Sequence, residues 1–390
     1  MRKNRVARLA RRISNNPGQG MDKTESTRSF KKKLYLVLIS VFFTLLILEI
    51  ATRIWLDFIA PEDVSLEYSL YSYLSPDDQR YVRHHYLNYY PNPAYHRGKT
   101  HHNSLGYRND EFPAKKPDGV FRIVLLGGST TYNIGIDDND KTWAAQMERI
   151  LRDKYGYKNV EVINAGVGGY NSWETLINLE FRVLDLDPDL IIEYEGTNDV
   201  HARFVDPASY KGDDSGRRKQ WDPPSIFFLE HSALFRVIFR KLGVTQQVGI
   251  GNFITPKTAY GPVSVVRHDP MELLKKNPPV YYRRNLNNMV AISKANGADI
   301  MFSTWAYSPY LDDYASTPYY QKGFEENNEV VKEVAVKNGI PLFDFAAVMP
   351  EDKKYWHDGR HVNELGAEKA AELFAAFIND NGLIKKRESK

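Results

Sequence analysis

The sequence predicts an α/β domain built on a parallel sheet, set behind an N-terminal apolar anchor. Three observations carry this. Five short apolar runs alternate with helical patterns after residue 118. Small, polar and titratable residues cluster just after those runs. Near the N-terminus, a run free of charge follows a strongly basic stretch.

The five runs are FRIVLL (121–126), VEVIN (160–164), LIIEY (190–194), DIMFST (299–304) and IPLFDF (340–345). Helical patterns lie near 143–155, 173–185, 281–295, 320–338 and 364–379. Strands separated by helices of this length indicate crossover connections and hence a parallel sheet. Residues 201–280 break the rhythm. They contain Pro and Gly and are weakly patterned, so an inserted cap or substrate-binding excursion is expected rather than a bare loop.

Charge is uneven. Residues 1–33 carry eleven Lys/Arg and two Asp/Glu, while the whole chain is only +3, so the rest is net negative. The basic character belongs to the tail, which argues against a nucleic-acid-binding domain. Lys31, Lys32 and Lys33 precede LYLVLISVFFTLLIL (34–48), and apolar residues continue to 59 around Glu49 and Arg53. The segment 34–59 is long enough to span a bilayer. Glu49 and Arg53, four apart, share a helix face and can pair. No small-residue cleavage site follows, so an uncleaved single-pass anchor is expected rather than a signal peptide. The positive-inside rule puts residues 1–33 in the cytoplasm and everything after 60 outside it. The expected order is tail 1–33, anchor 34–59 in contact with the lipid bilayer, a membrane-proximal segment 60–117 that packs on the domain or acts as a stalk, and domain 118–385 with its insertion. The 25 tyrosines weakly suggest a polar or carbohydrate surface.

Without cysteine, disulfides, thiolate metal sites and cysteine nucleophiles are excluded. Histidines 84, 85, 96, 101 and 102 lack helical ligand spacing and read as solvated or packing residues. No cofactor or metal is expected.

In an open parallel sheet, ligands sit at the carboxyl ends of the strands. The first run is followed by Gly127-Gly128-Ser129-Thr130, the second by Ala165-Gly166-Val167-Gly168-Gly169, and the third by Glu195-Gly196-Thr197-Asn198-Asp199. The fifth leads to His357-Asp358-Gly359-Arg360-His361. A serine hydroxyl needs a base to take its proton, which suits His361, an imidazole of ordinary pKa near ~6.5. Asp358, three residues earlier, can orient that imidazole. An oxyanion needs donors, which backbone N–H groups of Ser129 and Gly169 and the Asn198 amide can supply. Each segment alone has a plain reading as a turn. Asn171 stands where a third dinucleotide-loop glycine would be, and no phosphate-loop lysine appears. The weight lies in all four occurring in order.

These four segments resemble blocks I, II, III and V of the SGNH/GDSL hydrolase superfamily, over residues ~118–380. The resemblance implies a flavodoxin-like three-layer α/β/α sandwich with a five-stranded sheet, and a carboxylic ester hydrolase. It matches Ser129 to the nucleophile, Gly169 to the oxyanion glycine five after Asn164, Asn198 to block III, and Asp358 and His361 to block V. Block I departs from Gly-Asp-Ser-Leu, with Gly128 for the aspartate and Thr130 for the leucine. The run Asn103-Ser104-Leu105-Gly106-Tyr107-Arg108 resembles a lead-in of membrane-anchored bacterial members, which places the chain in a bacterial cell membrane. The expected function is extracytoplasmic hydrolysis of carboxylic esters, including O-acetyl esters on envelope or secreted glycans. Acyl transfer to a sugar by the same acyl-enzyme stays open. So does a non-catalytic glycan-binding scaffold, though such a scaffold would not need Ser129, Asp358 and His361 together.

Overall fold

The computed structural model describes residues 23–70, 80–84, 86–87, 89–216, 227–245 and 268–385. Two compact units divide them. One holds the N-terminal helices to residue 70 together with 227–245, and the other holds everything else described.

The larger unit is built on one parallel sheet of five strands, β1 (Phe121–Gly127), β2 (Val160–Asn164), β3 (Leu190–Tyr194), β4 (Asp299–Ser303) and β5 (Leu342–Phe343), in the order β2-β1-β3-β4-β5. This is the flavodoxin-like order. The strands are almost wholly buried, as a sheet covered on both faces requires. Successive residues point to opposite faces. Ile123, Leu125, Ile192 and Met301 enter one core with Trp143, Met147, Phe374 and Ile378. Val124, Leu126, Ile191 and Phe302 enter the other with Leu286, Met289, Val331 and Val334.

The helices that frame the sheet and the site are α1 (Ser129–Tyr132), α2 (Trp143–Asp153), α3 (Ser172–Asn178), α4 (Thr197–Arg203), α5 (Val280–Ala295), α6 (Pro318–Asn338) and α7 (Glu364–Asp380). The first core lies between the sheet and α2 and α7, whose Trp143 and Phe374 rings stack at 4.7 Å. The second lies between the sheet and α5 and α6. The result is an α/β/α sandwich.

Three elements differ from expectation for local reasons. The fifth strand is only two residues long, because Asp344 accepts from Thr304 Oγ1 at 2.8 Å and the chain turns into a short helix at Phe345–Val348. The helix expected near 173–185 stops as α-helix (α3) at Asn178 and continues as a π turn over Leu179–Val183. The Gly-Thr-Asn-Asp stretch, expected as a turn, opens α4.

Residues 80–117 belong to the larger unit. There, antiparallel pairs form between Tyr81–Arg83 and Tyr89–Pro91 and between His96–Arg97 and Thr100–His101. Asn109 closes the exposed edge of β2. Its amide donates to Val162 O at 2.9 Å and its carbonyl accepts from Asn164 N at 2.8 Å, copying a neighbouring strand. Residues 201–280 do not act as one excursion. The buried guanidinium of Arg203 donates to Asn277 O at 2.8 Å and Leu274 O at 3.1 Å, holding both ends on the α/β unit. The middle, 227–245, belongs to the other unit.

In that unit, a helix of 36 residues, Lys23–Phe58, contains a stretch from Ser29 to Phe58 long and apolar enough to cross a membrane, and its large apolar side chains from Leu34 to Ile50 are exposed.

Candidate active site

The serine turn is shaped by close approach. At Gly127 φ is +151°, and an added Cβ would lie 2.1 Å from Tyr194 O and 2.4 Å from Thr131 Oγ1. Only glycine lets β1 end against β3 in this way. Ser129 then opens α1, so its N–H is among the helix donors that have no intrahelical acceptor. Beyond α1 the chain is held by Arg108. Its buried guanidinium donates to the carbonyls of Tyr132 (3.0 Å) and Asn133 (2.9 Å) and to Asn139 Oδ1 (3.0 Å). His102 adds a second tie. Burial lowers its pKa to about 3, so the ring is neutral. Its Nδ1 faces Asn92 O at 2.8 Å, and a carbonyl can only accept. Nδ1 therefore carries the hydrogen, and Nε2 accepts from Tyr132 Oη at 2.9 Å. Of the other histidines, His101 pairs with Asp110 at 2.9 Å and His96 stacks on His101, while His85 lies outside the described residues.

Asp358 and His361 sit on a closed loop before α7. Trp356 pairs with Val362, and His357 N donates to His361 O at 2.8 Å. Asp358 Oδ1 accepts from the backbone N–H groups of Arg360 and His361, both at 2.7 Å. Oδ2 is left for His361 Nδ1, at 2.8 Å. Burial by itself would raise the Asp358 carboxyl. The hydrogen bond and charge of His361 and the two backbone donors outweigh it, and the group stays well below the usual carboxylate range. An ionised carboxylate can only accept, so Nδ1 carries a proton and the Nε2 lone pair faces outward. That lone pair meets Ser129 Oγ at 2.8 Å.

Asn198 is the second residue of α4 and is buried. Its Nδ2 donates one hydrogen to Tyr170 O at 2.6 Å, which fixes the amide and leaves its second N–H to other acceptors. Gly169 stands immediately before Tyr170. It adopts φ +84° in a turn closed by Tyr170 N to Val167 O at 3.1 Å, the left-handed position that favours glycine. Val167 N donates to Gly127 O at 3.0 Å and ties this turn to the end of β1. Gly166 serves packing, because a Cβ there would lie 2.3 Å from Tyr132 N. Asn171 caps α3, its side chain accepting from Trp173 N at 3.0 Å, and not a phosphate.

Several partners of these residues were not legible beforehand. Tyr81 Oη accepts from Gly168 N at 3.1 Å, and Tyr89 Oη donates to Gly168 O at 2.6 Å. Tyr170 Oη in turn donates to Tyr89 O. The tyrosines expected at a surface are thus partly interior. The one available signal was Arg108, at the end of the lead-in run.

Gly128 has a clear reason. An added Cβ would lie 2.9 Å from both Asn198 Nδ2 and Glu195 Oε1, and 3.1 Å from Tyr170 O. Burial, and next the charges of Asp199 and Glu193, push the Glu195 carboxyl well above its usual range. That shift favours the neutral carboxyl beside the serine turn, where an anion would oppose developing negative charge. Restoring the family's aspartate by Gly128→Asp should overpack this spot, at about 1–3 kcal/mol. A lowered melting temperature together with a loss of any Ser129-dependent turnover is the expected result, read by thermal denaturation and an ester assay. A variant equal to wild type in both would show that the space at Gly128 is not limiting.

The chain is similar to several known proteins. A curated acetylxylan esterase from Xylanibacter ruminicola is 24% identical over 277 residues, 70% of this chain, and the chain spans about half (46%) of that protein's length. Among solved structures, a lipase/acylhydrolase from Enterococcus faecalis aligns with a TM-score of 0.42 and 18% identity, over 69% of this chain and 100% of that one. The acetyl xylan esterase AlAXEase aligns with a TM-score of 0.39 and 15% identity, over 66% and 98%. The family model for the GDSL-like Lipase/Acylhydrolase family matches residues 125–369, well over half of the chain, and the protein belongs to that family.

Proposed function

We propose that this protein is an extracytoplasmic serine esterase that cleaves carboxylic esters through an acyl-enzyme on Ser129. The observation that carries the reading is the unbroken chain from Ser129 Oγ to His361 Nε2 and from His361 Nδ1 to Asp358 Oδ2, with 2.8 Å at each contact. In it, Ser129 Oγ attacks the ester carbonyl carbon as its proton passes to Nε2. The carbonyl oxygen becomes an oxyanion, for which Ser129 N–H, Gly169 N–H and the free hydrogen of Asn198 Nδ2 are the donors. Collapse breaks the C–O bond, and the leaving alcohol takes the proton from Nε2. Water repeats the cycle and returns the acid and free Ser129. Asp358 stays ionised throughout and stabilises the imidazolium. No step calls for a metal or cofactor.

The apolar helix supports the location. With eleven basic residues among the first 33, ahead of its uncharged run, the positive-inside rule leaves the α/β unit outside the cytoplasm. The similarity to an acetylxylan esterase supports short acyl esters on a polysaccharide as the substrate class.

The full-length protein in detergent should hydrolyse p-nitrophenyl acetate and release acetate from acetylated xylan, and Ser129→Ala should abolish both at unchanged melting temperature. With Asp358 held ionised, His361 must be neutral at Nε2 to take the serine proton. Activity should therefore rise with pH and fall away in acid as one proton is bound. Near-native turnover by Ser129→Ala, or a profile flat across the acid range with chemistry rate-limiting, would end this reading.

Asn198→Ala separates a catalytic amide from a structural one. Loss of one oxyanion donor costs about 10²–10³ in kcat, roughly 2.7–4 kcal/mol, with little change in KM. A variant that only melts earlier, with native kcat when folded, would assign Asn198 to holding Tyr170 O and nothing more.

A further inference from the structure

The long N-terminal helix carries a carboxylate, Glu49, near the end of its apolar stretch, and that carboxylate is fully engaged. Glu49 Oε1 accepts from Ala233 N at 3.0 Å, and Oε2 accepts from Leu234 N at 2.9 Å and Ser232 Oγ at 2.6 Å. Arg53 Nε donates to Oε1 at 2.7 Å, and Arg53 Nη2 reaches His231 O at 3.1 Å. Ala233 and Leu234 open the nine-residue helix Ala233–Lys241, so Glu49 caps that helix from another part of the chain. Below the cap, Leu56, Tyr68 and Ala233 form a small core on which Val64 and Val237 pack. Arg236 is buried and donates to Glu230 O at 2.7 Å and to Tyr68 O. The segment is thus built onto the long helix by specific bonds.

Several of its large apolar side chains are exposed. Phe228 is 71% exposed, Leu242 71%, Val244 66%, Phe227 49% and Ile238 39%. Such a run of exposed large apolar groups marks an interaction surface. What covers it follows from where it is fixed. The exposed apolar surface of the span continues from Leu34 past the docking point at Glu49 to Ile54 and Phe58. From Lys33 to Glu49 a helix rises ~24 Å, close to the ~30 Å of a hydrocarbon core. Glu49 therefore falls near the far boundary of the bilayer, where a half-apolar helix with a basic end, here Arg240 and Lys241, is stable in the interface.

We infer that residues 227–245 form a second membrane contact, an interfacial helix seated in the headgroup and acyl boundary of the same phospholipid bilayer and locked to the span by Glu49. This rests on the membrane-anchor reading given above. It makes the insertion a membrane foot rather than a substrate cap.

The chain has no cysteine, so single-cysteine variants can be labelled cleanly. The full-length protein, with Phe228→Cys, Ile238→Cys or Leu242→Cys, would carry an environment-sensitive fluorophore in vesicles of phosphatidylethanolamine and phosphatidylglycerol. Leu38→Cys serves as the span control and Lys354→Cys as the water control. Acyl-brominated lipids should quench the labels at 228, 238 and 242 as well as 38, and leave 354 unchanged. Quenching at 38 alone would overturn the foot and leave the anchor standing. No quenching at 38 would remove the anchor and the foot together.

Discussion

The hydrogen bond between His361 Nε2 and Ser129 Oγ joins residues 232 apart in the chain. Much of the larger unit is explained by what keeps those two atoms 2.8 Å apart. A parallel sheet delivers β1 and the loop before α7 to the same edge, because every crossover returns the chain to the same end of the sheet. The rest is local. Gly127 lets the serine turn close on β3, and Asp358 accepts two backbone donors, so its loop presents a single imidazole orientation.

Support comes from outside the sheet. The membrane-proximal segment reads as one that packs on the domain or acts as a stalk. Its residues 80–112 pack on the larger unit and brace the site. Arg108 and His102 fix the chain beyond α1, Tyr81 and Tyr89 grip Gly168 from both sides, and Asn109 finishes the sheet edge. These are mostly side chain to backbone bonds, which order a turn without adding a strand or helix. A site on loops needs such outside support if its donors are to hold their positions before substrate arrives.

What could be read beforehand follows from what is local. β1, β2 and β3 were legible because a strand buried on both faces must be a short, continuous apolar run. Helices near 281–295 and 320–338 were legible from their periodicity, and the site from glycine, serine, asparagine and histidine placed after successive strands. The fifth strand ran too long on paper, since Asp344 leaves the sheet for a side-chain bond that no pattern reveals. The tyrosines of 80–112 gave no period because their partners lie across the fold. The clearest loss was 227–245. Its capping group, Glu49, is 183 residues from Ser232, so nothing near either segment announces the pairing. Reading Glu49 and Arg53 as an i,i+4 pair caught half of it.

The central claim is that Ser129 is made nucleophilic by His361. Treating the full-length protein with a fluorophosphonate and mapping the adduct by peptide mass spectrometry tests it most directly, since labelling requires an activated oxygen and no knowledge of the natural ester. The account predicts one adduct, on Ser129, and none in His361→Ala over the same time. An adduct on a different serine, or labelling of His361→Ala as fast as wild type, would contradict it.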